Sequence, residues 1–212
     1  MDIIKEISEN IELGNTPAVV KLTQEAISGK TNVKTILDQG LIGGMAKVGE
    51  KFKHHEIFLP NVLLAAKAMN AAMNILKPLL IKEDIPVLGK VVIGTVQGDL
   101  HDIGKNLVGI LLKGAGFEVI DLGKDVAPEK FLDVAESQNA EIIGMSALLT
   151  TTMPVMKTVI DKAKARRIFG KKKFIIGGAP LSASYAREIG ADAYCYDGVN
   201  AVDTVKQLLR TR

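Results

Sequence analysis

At Asp84-Ile85-Pro86 the chain changes its hydrophobic period, and that change decides what it can fold into. Upstream, apolar residues recur at the spacing of an amphipathic helix; downstream, short apolar runs alternate with helical stretches. One period cannot serve both halves. The pattern therefore predicts two domains, residues 1–84 and residues 89–212, joined by a short polar linker near 83–89.

In the first half Ile3, Ile4, Ile7 and Ile11 mark one helix, and Asn15-Thr16-Pro17 is a stop-and-start signal with the proline suited to a first turn. A second helix runs through Val19, Val20, Leu22 and Ala26 to Gly29. A third, capped by Thr31 or Asn32, carries Ile36, Leu37, Leu41, Met45, Val48 and Phe52. A fourth carries Val62, Leu63, Ala65, Ala66, Met69, Met73 and Leu76 and ends near Lys82. Amphipathic helices with short connections predict a four-helix bundle.

In the second half the apolar runs are 91–96, 117–122, 141–146, 173–178 and 192–196, with helices near 103–114, 127–138, 153–168, 181–189 and 200–210. Strands alternating with crossover helices predict a five-stranded parallel sheet of the doubly wound, flavodoxin-like or Rossmann-like kind. Ligands of such α/β sheets sit beyond the carboxyl ends of the strands. Chemistry is therefore sought at 97–106, 122–127, 146–153 and 177–181.

Composition closes off other classes. The 27 Lys+Arg against 24 Asp+Glu leave a net charge of +3, too small an excess to point to nucleic acid, and Trp is absent. No run approaches the roughly 18 apolar residues that span a bilayer. The opening residues lack a signal peptide's basic start and apolar block. The single Cys195 allows no intrachain disulfide, which points to a reducing, cytoplasmic setting.

The loop after the first strand reads Gln97-Gly98-Asp99-Leu100-His101-Asp102-Ile103-Gly104-Lys105-Asn106. Asp99 and His101 stand two apart, and strand alternation would send them to one side. A carboxylate beside an imidazole fixes the tautomer and leaves the other ring nitrogen to take a proton or a metal. The same pair is also what a local hydrogen bond looks like. Gly98 and Gly104 suit tight turns or the approach of a bulky ligand. A phosphate cradle is disfavoured: there is no Gly-x-Gly-x-x-Gly or Walker pattern, and Asp99 with Asp102 would repel a pyrophosphate.

Asp99-x-His101-x-x-Gly104, followed by Ser146-x-Leu148 and by Gly177-Gly178, resembles the signature of cobalamin-binding domains. Upstream, Gly44-Met45, Val48-Gly49-Glu50-x-Phe52, Phe58-Leu59-Pro60 and Ala65-Ala66-x-x-Met69 are similar to the helical cap of methyl-carrying corrinoid proteins. The nearest family resemblance is to the small corrinoid proteins of anaerobic methyltransferase systems, which are similar to the cobalamin module of methionine synthase.

That resemblance implies a corrinoid bound with its own base displaced and with His101 as the lower ligand of cobalt. Asp99 would orient His101, and Thr152, where related sequences carry Ser, would complete a proton relay. Gln97, Gly98, Asp102, Ile103 and Gly104 would line the cofactor with Thr150. Ser146 and Leu148, with Gly177 and Gly178, would border the slot for the nucleotide tail. Phe52 and Leu59 would lie over the cobalt with Met45, Val62 and Met69 near, although plain bundle core also accounts for the last three.

The resemblance further implies a methyl carrier. A substrate-specific methyltransferase would load cobalt(I), and a second methyltransferase would pass the methyl to a thiol or pterin. A reductive activating protein would restore the cofactor, and the chain alone would catalyse little. A cobalamin-dependent sensor is the alternative, but such sensors usually append a DNA-binding domain and keep a Trp in the cap. The cobalamin subunit of a carbon-skeleton mutase generally lacks the helical half. His54-His55-Glu56 is read as an exposed helix end, Cys195 as core, and Arg166, Arg167 and Lys171 to Lys173 as solvated surface.

Overall fold

The computed structural model describes residues 2–83 and 85–210 and divides into two compact units. One unit comprises Met1–Val87 with Gly114–Gly116, the other Leu88–Lys113 with Phe117–Arg212. Asp84, at the expected change of period, lies outside the described residues.

The first unit opens with α1 (Ile3–Glu12), capped by the Asp2 carboxylate, and α2 (Thr16–Ser28), capped by Asn15 with Pro17 in its first turn. The expected third helix runs from Val33 to Lys53, but not as one α-helix. It begins as α3 (Val33–Thr35), widens into a π-helix over Ile36–Ile42 and returns to α in α4 (Gly43–Lys53). The buried residues Ile36 and Leu41 are five apart, the i→i+5 period of a π-turn, so the widening keeps both on the core side. Close packing of α1 also needs small residues here. A Cβ at Gly44 would meet Ile11 at 2.8 Å. The long α5 (Leu59–Lys82) completes the bundle and tolerates Pro78 near its end. Ile7, Ile11, Val19, Val48, Val62, Ala65 and Leu76 are fully buried in this unit.

In the second unit β1 (Lys90–Thr95), β2 (Glu118–Asp121), β3 (Ile142–Ser146), β4 (Lys173–Gly177) and β5 (Ala193–Cys195) form one parallel sheet in the order β2-β1-β3-β4-β5. The crossovers are α6 (Ile103–Gly114), α7 (Pro128–Ser137), α8 (Met153–Ala165) and α9 (Ala183–Ile189), with α10 (Gly198–Arg210) last. Alternation along β1 shows both faces in use. Ile93 meets Gly109 of α6, whereas Gly94 leaves room for the Phe131 ring of α7. Phe131, Phe174, Ile143 and Met156 fill the α7–α8–α9 side and are fully buried, each such side chain stabilising by roughly 1.5–3 kcal/mol. The chain direction reverses across the sheet between β1 and β3, the switch point at which doubly wound folds open a crevice.

No described helix is long and apolar enough to cross a membrane. Cys195 is buried, and that burial pushes its thiol up to about 11.

Candidate functional site

Asp99 sits at the switch point, fully buried, and gathers donors from both sides of it. Its Oδ1 accepts the His101 backbone N–H at 3.0 Å and lies 2.8 Å from His101 Nδ1. Its Oδ2 accepts the N–H groups of Leu148 at 2.7 Å and Leu149 at 3.2 Å, and lies 2.9 Å from Thr152 Oγ1. Burial alone would push this carboxyl up. The N–H groups of His101 and Leu148, the imidazole and the Thr152 hydroxyl outweigh burial and hold it well below the usual carboxylate range.

An ionised Asp99 only accepts, so His101 Nδ1 carries a proton, and the lone pair of the neutral imidazole is on Nε2. The His101 side chain is 52% exposed, and Nε2 has no partner among the described residues. Leu100, Ile103, Leu148 and Leu149 are exposed on the β1–α6 and β3–α8 segments, alongside the polar Gln97 and Thr150.

Asp99 and His101 meet for a different reason from the one their spacing suggests. β1 ends at Thr95, and the pair lies in the loop beyond it. An aspartate accepting the N–H two residues on brings them together, a local turn and not strand alternation. The Thr152 hydroxyl reaches the Asp99 carboxylate. Its one proton has two acceptors at 2.9 Å, Asp99 Oδ2 and the Leu149 carbonyl. Its extra methyl faces Gly98, where an added Cβ would come within 3.4 Å of it.

The other expected residues fall as follows. Gln97, Gly98, Ile103 and Gly104 are exposed, and Asp102 is half-buried. Nothing in the fold lies within 4 Å of a Cβ built on Gly104. Ser146 ends β3 half-buried, its hydroxyl without a partner among the described residues; Thr150 is exposed. Gly177 ends β4, and Gly178 follows it with a φ of 137°. In the first unit Met45 is buried in the bundle, and Phe52 and Leu59 are half-buried. His54 and His55 are exposed at the end of α4, and the described residues contain no cluster suited to a metal ion.

Two positions that the sequence did not single out hold the histidine loop. Asp125, at a φ of 54°, accepts the Gly98 N–H at 2.7 Å and donates its own N–H to the Asp99 carbonyl at 3.1 Å. Buried Thr95 donates its hydroxyl to the His101 carbonyl at 3.0 Å. Neither left an advance signal, since their side chains reach backbone groups of the loop, which have no residue type.

The depressed Asp99 carboxyl has a pH consequence. The unfolded chain takes up this proton near the ordinary aspartate value of about 3.9, and the folded protein only at lower pH. Asp99 thus stabilises fully above that value, and the contribution is lost as pH falls below it. Urea midpoints should drop on acidification below about pH 4, and less steeply in Asp99→Asn. Equal acid slopes in the two proteins would contradict this.

Comparison with known proteins meets the geometry at this point. The B12 binding domain family matches residues 89–206, and a second B12 binding domain family, of the helical half, matches residues 3–77. A corrinoid protein of Desulfitobacterium hafniense strain Y51 is 38% identical over 212 residues, covering 99% of this chain and 98% of that protein. The dimethylamine corrinoid protein of Methanosarcina barkeri is 39% identical, covering 98% of each. A solved structure of the methanol:cobalamin methyltransferase complex from Methanosarcina barkeri matches with a TM-score of 0.89 at 30% identity, covering all of this chain and 81% of that one.

Proposed function

Since this chain belongs to the corrinoid proteins, a B12-binding family, we propose that it carries methyl groups between two methyltransferases. The carrying observation is the free Nε2 of His101, its ring held by Asp99, on neighbouring segments that also expose Leu100, Ile103, Leu148 and Leu149. These residues fit a corrinoid. An imidazole nitrogen is a suitable cobalt donor, and apolar side chains suit a large flat macrocycle. When bound, the cobalt supplies the nucleophile that takes a methyl group and later gives it up.

His101 would hold the metal, and Asp99 would keep its ring oriented with Nδ1 protonated. Nε2 could also accept a proton when it holds no metal, and Asp99 with Thr152 would balance that charge. Gly98 and Gly104 would leave room under the ring, and Gln97, Asp102 and Ile103 would border it with Thr150. Ser146, Leu148, Gly177 and Gly178 would line the tail. Phe52, Leu59 and Met45 would be the helical unit's apolar contribution to excluding water.

Donor specificity would reside in the loading methyltransferase. The relatives named for dimethylamine favour a methylamine as donor class. The acceptor would be a thiol or pterin. A reductive activating protein would return oxidised cofactor to the cycle. The test is reconstitution with hydroxocobalamin followed by desalting. The reading requires a near-stoichiometric coloured protein with a base-off spectrum. Colourless protein that is still folded would end it.

A further inference from the structure

Lys105 is the buried charge that the site described above does not use. Its side chain is only 3% exposed, and it lies in the first turn of α6, four residues past His101. Its Nζ donates to both carboxylate oxygens of Asp121, each at 2.7 Å, and to Asn106 Oδ1 at 2.6 Å. Three acceptors use up the three donors of an ammonium group, so Lys105 has nothing left to offer a ligand. Asp121 ends β2, pairs in register with Ile93 of β1, and also accepts the Gly123 N–H at 2.9 Å.

We infer that the Lys105–Asp121 pair is a positioning device for His101: it pins the first turn of α6 to the end of β2 and so fixes where the histidine loop ends. The loop over 96–102 begins on β1 and is tied within by Asp125 to Gly98 and by Thr95 to the His101 carbonyl. Its exit into α6 is held by Lys105. Only the lysine of this pair is buried, the Asp121 side chain being 37% exposed, and such a pair returns little net stability because desolvation of the ammonium offsets much of the attraction. Its use is geometrical. Metal ligands need their supports placed to within a fraction of an ångström, and a two-oxygen grip defines position more closely than apolar packing.

The inference rests on the carrier reading, with His101 as the cobalt ligand. The experiment compares wild type with Lys105→Met, Lys105→Arg and Asp121→Asn after reconstitution with hydroxocobalamin. Three quantities are read: thermal midpoint without cofactor, Kd by equilibrium dialysis, and the visible spectrum at saturation. Lys105→Met should fold yet bind about tenfold more weakly, as supports of metal ligands usually show, with a smaller imidazole-ligated fraction even at saturation. Lys105→Arg should restore most of the wild-type spectrum, since a guanidinium also grips both Asp121 oxygens. Asp121→Asn, with one oxygen in place of two, should fall between.

A wild-type spectrum at saturation in Lys105→Met or Asp121→Asn, whatever the thermal midpoint, would overturn the inference. If Lys105→Met does not fold, Asp121→Asn carries the decision by the same readout. Failure of the wild type itself to retain corrinoid is a separate result and strikes the carrier reading instead.

Discussion

His101→Ala should leave the fold intact and strip the lower ligand. The side chain is half exposed, so its removal gives up little packing. Asp99 loses the imidazole but keeps the backbone N–H of residue 101, the N–H groups of Leu148 and Leu149, and the Thr152 hydroxyl. Stability without cofactor should therefore change by less than about 1 kcal/mol, as for most surface substitutions. Corrinoid affinity should fall by at least the roughly 10- to 100-fold that losing a ligand's orienting partner costs, and the saturated spectrum should change to that of a water-liganded cobalt. Visible titration alongside urea unfolding reads both. An unchanged spectrum would show that His101 is not the ligand and that the pair is a structural hydrogen bond.

Asp99→Ala gives the useful contrast, because it removes an acceptor that several buried or half-buried donors share. Each polar group stranded away from water costs about 1–3 kcal/mol, so this variant should lose stability as well as affinity. The two substitutions separate ligation from loop architecture. A histidine whose loss affects only the cofactor is what a preorganised site predicts.

The parts of the molecule legible in the sequence are those written in side-chain type. Each parallel strand is a short apolar run because helices cover both faces, and Pro128, Pro154 and Ser182 mark helix starts as their chemistry dictates. Strand bounds at 90–95, 118–121, 142–146, 173–177 and 193–195 sit within two residues of the apolar runs. The π-helix over Ile36–Ile42 was not legible, because a π-turn differs from an α-turn by one residue and the same apolar set serves both. The five-residue step from Ile36 to Leu41 was its one trace.

At the site, Asp99 and His101 stand two apart in the chain and could be paired on paper. Asp125 and Lys105 reach partners 27 and 16 residues away, Asp125 with its carboxylate accepting the Gly98 N–H, and such contacts leave no pattern of residue types. The sequence names the groups that meet a ligand more readily than those that hold them in place.

Gly178→Ala should produce the largest loss of stability, and the reason lies in the protein's own backbone. At a φ of 137° the residue occupies a region that L side chains rarely adopt, and an added Cβ would stand 1.8 Å from the Ala147 carbonyl oxygen. That oxygen belongs to backbone at the end of β3, not to the flexible tip of a side chain, so the strand ends must separate. A destabilisation of about 4 kcal/mol follows, at the upper end for single substitutions, with a midpoint lower by roughly 10 °C.

Gly104→Ala makes the opposite case. It lies in the first turn of α6 with open space around the missing Cβ, and a helical Gly costs roughly 0.5–1 kcal/mol against Ala. The fold alone would therefore gain from alanine here. If the space beside Gly104 is kept for the corrinoid, this variant should be more stable without cofactor and yet retain less of it after desalting. Binding equal to wild type would mean that the space serves no ligand. Gly178 is thus a glycine that the backbone requires, whereas the fold itself places nothing against a side chain at Gly104.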